Sequence, residues 1–235
     1  MSSFVDTFLK RFSTALIADA AFRSRVPITI PRSGLVPLSP GWKIAGPVRT
    51  VDAENDLAAV LLGLERAEEG EVLVIANQKP GQAGLMGDII ATEARRKKLA
   101  GIVVDCLVRD VADVRQIGLP VWSRGAIPVG PLKLSPDQRG IGKTGTPVLL
   151  GGMPVKPGDM LFADDDGVVV IDPRDCEAVE AESGRSLEKE KELLSKLKKG
   201  ASLGELFDIE AFYERRKTDP DLTLNEHLAS KNSAI

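Results

Sequence analysis

Three short apolar segments that alternate with helix-like segments constrain the fold of this chain more than any other feature. Strands are predicted over residues 71–77 (EVLVIAN), 101–105 (GIVVD) and 119–123 (LPVWS). A glycine-rich turn and the segment GDIIATEARRKKLA separate the first two strands, and RDVADVRQIG separates the second from the third. Crossover helices return the chain so that consecutive strands run in the same direction. The pattern therefore predicts a parallel sheet with buried strands, which is an α/β fold.

The segments on either side extend this core. A helix is predicted over residues 4–22, a strand over 41–53, and a helix over 55–70, which has an Asn-Asp start and a glycine end. After Trp122 the sequence is rich in Val, Gly and Pro and predicts several short strands. No linker separates the two kinds of sequence. Residues 1–175 are therefore expected to form one layered α/β/β core.

Residues 176–235 are expected to form a C-terminal helical extension and tail. Pro173 marks a helix start, and Leu187, Leu194 and Leu197 lie on one face with balanced acids and bases around them. This pattern is typical of a charged amphipathic helix that covers its own core or a neighbouring subunit. The last residues, from Tyr213 onward, are expected to be an exposed, partly ordered tail.

The histidine content narrows the possible chemistry. The only histidine among 235 residues is His227, near the C-terminus. A Ser-His-Asp hydrolase or a histidine-ligated zinc enzyme requires histidine inside the folded body. If the chain is an enzyme, it is expected to work with carboxylates, Arg, Lys or a metal that oxygen ligands hold.

Charge, hydropathy and cysteine content exclude further classes. The net charge is −3 with no basic block, so nucleic acid is not an expected partner. No stretch of eighteen apolar residues and no secretory signal are visible, so we expect a cytoplasmic protein without a membrane segment. Cys106 and Cys176 show no CxxC spacing and are expected to be reduced structural thiols.

A glycine-rich turn and an Arg-Asp pair are the candidate site. The turn KPGQAGLMGD places three glycines just before a helix, where free backbone N–H groups can bind a carboxylate or phosphate. Most such turns bind nothing. Arg109 and Asp110 follow the strand GIVVDCLV, near the carboxyl end where α/β sheets bind ligands. Parallel pairing predicts that the turn and the Arg-Asp pair share one crevice.

These residue types suit a small anionic ligand and a cation. Arg109 can hold a carboxylate with its two-pronged guanidinium, Asp110 can bind a divalent cation through oxygen, and Asp88 could orient a water. The structural alternative is that Asp88 is a helix-start acid favoured by the helix dipole, while Arg109 and Asp110 form local surface salt bridges. From the residues alone both explanations stay open.

The spacing of these residues resembles a family signature. Asp88, twenty further residues and then Arg109-Asp110 are similar to the D-x(20)-R-D signature of divalent-metal-dependent 4-hydroxy-4-methyl-2-oxoglutarate aldolases. Those enzymes also cleave 4-carboxy-4-hydroxy-2-oxoadipate, and their superfamily contains RraA, the regulator of ribonuclease activity A. The segments AGIVVDCLVRDV, LPVWSRG and PGDMLFADDDGVVVI are similar to family segments in the same order, and the resemblance covers residues 14–205.

The resemblance implies a fold and a site. The fold would be the RraA-like, swivelling β/β/α type of layered sandwich. Arg109 would contact the substrate, and Asp110 would bind magnesium or manganese, whose other positions water and the substrate would fill. The backbone N–H groups that hold the substrate carboxylate would belong to Gly87, Asp88, Ile89 and Ile90.

The resemblance also implies an oligomer with a shared site. The aldolases use a glutamate from the C-terminal helix of a neighbouring subunit, and Glu190, ten residues before Gly200, has the matching spacing. Glu188 or Glu192 could be the counterpart instead. The expected assembly is a homotrimer or a hexamer made of two trimers.

The implied function is that of a class II pyruvate aldolase. It would cleave a 4-hydroxy-2-oxo dicarboxylic or tricarboxylic acid to pyruvate and a second oxo acid, with Asp88, Arg109 and Glu190 as catalytic residues. Oxaloacetate decarboxylation, which passes through the same enolate, would be a side activity. One alternative is a non-catalytic RraA-like regulator that binds ribonuclease, although the short regulators largely lack the C-terminal helix. Another is a lyase of the same fold that acts on a different oxo or hydroxy acid.

Overall fold

The computed structural model describes residues 2–32, 34–79, 83–131, 134–138 and 140–230. Gly81 of the predicted glycine-rich turn lies outside these residues. The chain divides into two compact units, Met1–Glu180 and Ala181–Ile235. None of the helices in the described ranges is long and apolar enough to cross a membrane.

The first unit is built on a mixed sheet. The strands of the described part are β1 (Ile28–Thr29), β2 (Val36–Pro37), β3 (Ile44–Asp52), β4 (Val72–Ala76), β5 (Gly101–Asp105), β6 (Val121–Ser123), β7 (Lys143–Thr144), β8 (Val148–Leu150), β9 (Met153–Val155), β10 (Met160–Asp164) and β11 (Gly167–Ile171). The order of strands in the sheet is β1-β11-β10-β3-β4-β5-β6-β2, with β7 also paired to β3, while β8 and β9 form a separate hairpin. The helices that begin in this unit are α1 (Ser2–Arg11), α2 (Thr14–Arg23), α3 (Leu57–Arg66), α4 (Asp88–Arg96), α5 (Val111–Ile117) and α6 (Cys176–Lys198).

The parallel half of the sheet is the part that the sequence predicted. β3, β4, β5 and β6 pair in parallel in that order, and α3, α4 and α5 form the three crossovers. Every residue of β4 and β5 is buried, as is typical of a parallel sheet with both faces covered. The predicted parallel α/β organisation is confirmed.

Alternate strand residues contact two different layers. Leu73 and Ile75 of β4 belong to the core cluster that contains the buried faces of α3 and α4. Val72 and Val74 belong to a second cluster, which includes Val148 and other side chains of the β8–β9 hairpin. Successive strand side chains point to opposite faces, so one strand contributes to both cores. The result is a helix layer, a sheet and a β layer, which confirms the layered α/β/β fold class.

Strand β3 connects the parallel half of the sheet to an antiparallel half. Its first residues, Ile44–Pro47, pair antiparallel with β10, and residues Val48–Asp52 pair parallel with β4. β10 continues into the hairpin with β11, to which β1 adds a further antiparallel pair. The short strands predicted after Trp122 are therefore present.

The N-terminal segment forms two helices, and the prediction of one helix over residues 4–22 is wrong. α1 ends at Arg11 and α2 begins at Thr14. The Ser13 hydroxyl accepts a hydrogen bond from the Leu16 backbone N–H at 3.1 Å, which caps α2. Because apolar spacing continues through both helices, hydrophobic periodicity did not reveal the break at the serine.

The second unit is helical. Helix α6 contains the division between the units, and the domain boundary predicted after residue 175 stays a prediction. The prediction of an exposed, partly ordered tail from Tyr213 is confirmed for most of the described residues up to 230 and is wrong for a few of them. Leu222, His227 and Leu228 are buried there, and the His227 ring lies 5.4 Å from the Phe212 ring. The further helices are α7 (Leu203–Phe207), α8 (Ile209–Arg216) and α9 (Leu224–Ala229).

Candidate functional site

The glycine-rich turn and the Arg109-Asp110 pair meet at the carboxyl ends of β4 and β5. The Arg109 backbone N–H donates to the Met86 carbonyl at 2.9 Å, and the Leu85 N–H donates to the Leu107 carbonyl at 3.2 Å. These two bonds join the turn before α4 to the segment before α5. The two sequence features therefore share one crevice, as predicted.

Glycines allow the Arg109 side chain to lie against this turn. A Cβ atom at Gly87 would be 2.6 Å from Asp110 Oδ2 and 3.1 Å from Arg109 Cγ. A Cβ at Gly84 would be 3.1 Å from the Arg109 backbone nitrogen, and one at Gly130 would overlap Arg109 Nη1. Larger residues at these positions would displace the Arg-Asp pair. These glycines therefore allow close packing against Arg109 and Asp110. From the sequence, Gly84 and Gly87 were expected to let the backbone approach a ligand and to expose N–H groups, and their packing against Arg109 was not predicted.

Asp110 has an unusual backbone conformation for a residue with a side chain. Its φ of 54° and ψ of 39° are left-handed, although it directly precedes α5. Its side chain does not cap that helix and instead accepts a hydrogen bond from Arg109 Nε at 2.8 Å. A left-handed aspartate costs roughly 1 kcal/mol or more, and such strain is common at functional sites. The conformation directs the carboxylate toward Arg109 and Gly87.

The start of α4 offers backbone donors beside this pair. Among the described residues, the N–H groups of Gly87, Asp88 and Ile90 have no protein acceptor. The Ile89 N–H donates to Asp88 Oδ1 at 2.8 Å, so three of the four predicted donors remain available. This contact shows that Asp88 interacts with the backbone at the start of α4, as the structural explanation of this residue predicted. Its proposed role toward a water stays a prediction.

A cavity of about 630 Å³ contains all of these groups. It brings together the predicted residues Asp88, Arg109 and Asp110, and the side-chain exposures of Arg109 and Asp110 are 39% and 31%. This partial burial distinguishes the pair from a fully solvated surface salt bridge. The complete lining is Leu57, Leu61, Gly84, Leu85, Met86, Gly87, Asp88, Ile89, Ile90, Arg109, Asp110, Pro128, Val129, Gly130 and Pro131.

The apolar part of this lining was not predicted from the sequence. Leu57 and Leu61 lie four residues apart on α3, so they share one helix face. Residues 128–131 follow β6, the fourth parallel strand, and the Val129 carbonyl accepts from the Gly84 N–H at 2.8 Å. The sequence position of residues 128–131 could have predicted this role. They follow the carboxyl end of a parallel strand, and loops at that edge of a sheet line ligand crevices.

The residues at the pair fit an open, hydrated divalent cation site. Within the described ranges, no group of three or more His, Cys, Asp or Glu residues could enclose a metal. Asp110 supplies one carboxylate, and the absence of a side chain at Gly87 leaves space directly beside its Oδ2. Magnesium is often held through one or two carboxylates, with water and substrate as its other ligands. Asp110 therefore fits this open type of site. The described residues do not provide the several ligands that a closed metal site needs.

Glu190 lies in the second unit, in the middle of α6. The two alternative glutamates are engaged on the same helix, since Glu188 pairs with Lys191 at 2.8 Å and Glu192 pairs with Lys196 at 2.7 Å. Glu190 has no ion pair among the described residues. Such exposed pairs are weak, so the choice among the three glutamates and the role of Glu190 at the site stay predictions.

Both cysteines are free, as predicted. Burial raises the pKa of the Cys106 thiol to about 12 and that of the Cys176 thiol to about 11. A thiol with such a pKa remains protonated near neutral pH and is a poor nucleophile. Neither cysteine is therefore a candidate catalytic group.

Replacing Gly87 with alanine tests the close packing at the site. The new methyl group would displace the Asp110 carboxylate, and we expect kcat/KM of a reaction catalysed at this site to fall about tenfold to a hundredfold. Gly184→Ala is the matched control, because a Cβ there meets no atom within 4 Å. Equal activity of Gly87→Ala and Gly184→Ala in the same assay would show that the Gly87–Asp110 approach is not needed.

Comparisons of sequence place the first unit among known proteins. A sequence model of the RraA-like family, described as Aldolase/RraA, matches residues 14–170. A Halalkalibacterium halodurans protein named "Putative 4-hydroxy-4-methyl-2-oxoglutarate aldolase" is 34% identical over 140 residues, which are 59% of this chain and 64% of that protein. An Alkalilimnicola ehrlichii protein of the same name is 38% identical over 125 residues, 53% of this chain and 74% of that one. The chain thus spans less than two thirds of the Halalkalibacterium protein.

A solved structure has a similar fold. RraAS2 of Streptomyces coelicolor, described as an unusual member of the RNase ES inhibitor RraA protein family, matches with a TM-score of 0.70 at 28% sequence identity. The match covers 83% of this chain and 96% of that chain. The similarity therefore extends over most of the chain.

Proposed function

The chain belongs to the RraA-like family, described as Aldolase/RraA, and we propose that it is a class II aldolase that releases pyruvate from 4-hydroxy-2-oxo acids. Substrates of the 4-hydroxy-4-methyl-2-oxoglutarate type, which are dicarboxylic or tricarboxylic acids, are the reference class. One observation carries the proposal: a single cavity contains Arg109, Asp110 and the unpaired N–H groups at the start of α4. The names of the similar aldolases support the same function.

The pyruvyl half of the substrate would bind at the charged end of the cavity. Its carboxylate would accept hydrogen bonds from the N–H groups of Gly87, Asp88 and Ile90, where the helix dipole favours negative charge. Arg109 would face the 2-oxo group. Its guanidinium is held on one edge by Asp110, which leaves the Nη groups on the other edge to contact the substrate.

Cleavage then requires a proton to leave the C4 hydroxyl and the C3–C4 bond to break. The electron pair of that bond passes to C3 and the 2-oxo group, which gives the enolate of pyruvate and a second carbonyl product. Arg109 would stabilise the negative charge on the enolate oxygen. A magnesium or manganese ion bound at Asp110 would supply Lewis-acid polarisation of the 2-oxo oxygen. Asp88, with Glu190 of a neighbouring subunit in a trimer or hexamer, would position the water that moves the protons.

Oxaloacetate decarboxylation is the second activity of this proposal. Loss of carbon dioxide from oxaloacetate leaves the same enolate, so the groups that stabilise it would serve both reactions. The cavity needs no additional residue for this step.

A metal-dependence assay tests the proposed function. We expect the purified protein to release pyruvate from 4-hydroxy-4-methyl-2-oxoglutarate with magnesium or manganese, and EDTA to lower the rate at least about tenfold. Pyruvate is followed with lactate dehydrogenase and NADH, and authentic pyruvate added with EDTA controls for the coupling enzyme. Restoring excess magnesium should restore the rate.

Two results would contradict the proposal. One is metal-independent release, and the other is no release from either 4-hydroxy-4-methyl-2-oxoglutarate or oxaloacetate. In the second case, the similarity to RraAS2 favours a regulator that binds ribonuclease. The discriminating measurement is inhibition of ribonuclease by this protein and by its Arg109→Ala variant, because a binding protein does not need an intact reaction site. Release from other oxo acids alone would indicate a lyase of the same fold with a different substrate.

A further inference from the structure

The cavity has an apolar wall beyond its charged end. Three elements contribute to this wall: α3 through Leu57 and Leu61, α4 through Ile89, and the loop after β6 through Pro128 and Val129. The exposures of Leu61, Ile89 and Val129 are 48%, 75% and 41%. Large apolar side chains that are exposed to solvent around a cavity are suited to contact an apolar group of a ligand.

The same cavity has few charges. Asp88, Arg109 and Asp110 are the charged side chains in the described lining, so Arg109 is its only cation there. That cation is paired with Asp110 at 2.8 Å and is the partner that the proposed function assigns to the pyruvyl group. A second substrate carboxylate would find no free cation in this lining.

We propose that the apolar wall binds a neutral, apolar substituent on C4, so that the preferred substrates are 4-hydroxy-2-oxo monocarboxylic acids. The proposal rests on the retro-aldol function and leaves the binding of the pyruvyl half unchanged. A carboxylate at this wall would lose water without gaining a hydrogen bond or an ion pair, which is unfavourable. An alkyl or aryl group would instead exclude water from Leu57, Leu61 and Val129. Dicarboxylates such as 4-hydroxy-4-methyl-2-oxoglutarate are then slower substrates.

The reaction is balanced without a co-reactant. In 4-hydroxy-4-methyl-2-oxopentanoate a methyl group replaces the C4 carboxylate of 4-hydroxy-4-methyl-2-oxoglutarate. The C4 hydroxyl loses its proton, the C3–C4 bond breaks, and its electron pair forms the enolate. One proton then returns to C3. The products are pyruvate and acetone, whereas the glutarate gives two pyruvates.

These two matched substrates measure the preference directly. We expect the wild-type protein to have a kcat/KM about tenfold or more higher for the pentanoate than for the glutarate, after the doubled pyruvate yield is corrected. Leu61→Arg places a cation in the apolar wall and should shift this ratio toward the glutarate by about tenfold. Leu62→Arg is the matched control, because Leu62 is also exposed on α3 but does not line the cavity. Its ratio should equal that of the wild type.

A second variant separates the effect from damage to the fold. Val129→Lys introduces a cation from another element of the wall, the loop after β6, and should shift the ratio in the same direction as Leu61→Arg. A wild-type preference for the glutarate, or an unchanged ratio in both cation variants, would overturn the apolar pocket while leaving the aldolase function intact. No metal-dependent pyruvate from the pentanoate, the glutarate or oxaloacetate would overturn the proposed function and this inference together.

Discussion

Replacing Arg109 with alanine is expected to lower kcat/KM for pyruvate release roughly a hundredfold to a thousandfold. Arg109 is the only cation in the described cavity lining, so no other side chain there can stabilise the developing enolate charge. Arg109→Lys should recover little activity. Arginine donates to Asp110 through Nε and keeps its Nη groups for the substrate. The single ammonium group of lysine cannot make both contacts at the same time.

The control for this prediction is an arginine outside the cavity. Arg96 lies at the end of α4 and pairs with Glu93 at 2.6 Å, with 71% of its side chain exposed. Arg96→Ala should therefore keep wild-type kinetics. The oligomeric state and the circular dichroism of both variants should match the wild type, since the Arg109–Asp110 pair is partly exposed and contributes only about 0–1 kcal/mol to stability. Near-normal kcat/KM for Arg109→Ala would remove Arg109 from the proposed mechanism.

The sequence predicted the parts of the fold that depend on strong local patterns. The strand Gly101–Asp105 was predicted with the bounds that the structure has, because the run is short for a helix and rich in β-branched residues. The break at Ser13 was missed, since the cap is a single side-chain contact inside a continuous apolar pattern. The division of the C-terminal helical extension into short separate helices was not predicted, for a related reason. Helices of five to eight residues, such as α7, α8 and α9, contain too few turns to show periodicity.

In the candidate site, too, the features that follow from sequence order were predicted, and the features that depend on tertiary packing were not. The meeting of the glycine turn with Arg109 followed from parallel pairing of two adjacent strands, which sequence order alone implies. The left-handed backbone of Asp110 did not follow from the sequence, because it depends on the Arg109 contact and on the lack of a side chain at Gly87. Leu57 and Leu61 were also not predictable as lining residues. They are distant in sequence from the turn and approach it only through packing of α3 beside α4.

Asp110→Asn is the second change with a large expected effect. Asparagine has nearly the same volume and also tolerates the left-handed conformation, so the fold should be retained. The variant lacks the negative charge that a divalent cation requires and weakens the bond to Arg109 Nε. We expect kcat/KM for pyruvate release to fall roughly a thousandfold. The thermal midpoint of unfolding should change little.

Metal binding provides a second measurement that does not depend on turnover. Titration of Mn²⁺ followed by electron paramagnetic resonance should show weaker binding to Asp110→Asn than to the wild type. Asp113→Asn is the matched control, because Asp113 is an exposed acid in the first turn of α5, the helix that Asp110 precedes. It should bind Mn²⁺ and turn over like the wild type. Lost turnover with unchanged Mn²⁺ affinity would make Asp110 a positioning residue for Arg109, whereas unchanged turnover would exclude it from both roles. Only a joint loss of metal affinity and turnover agrees with Asp110 as the metal ligand, because the Arg109 contact by itself does not require a bound cation.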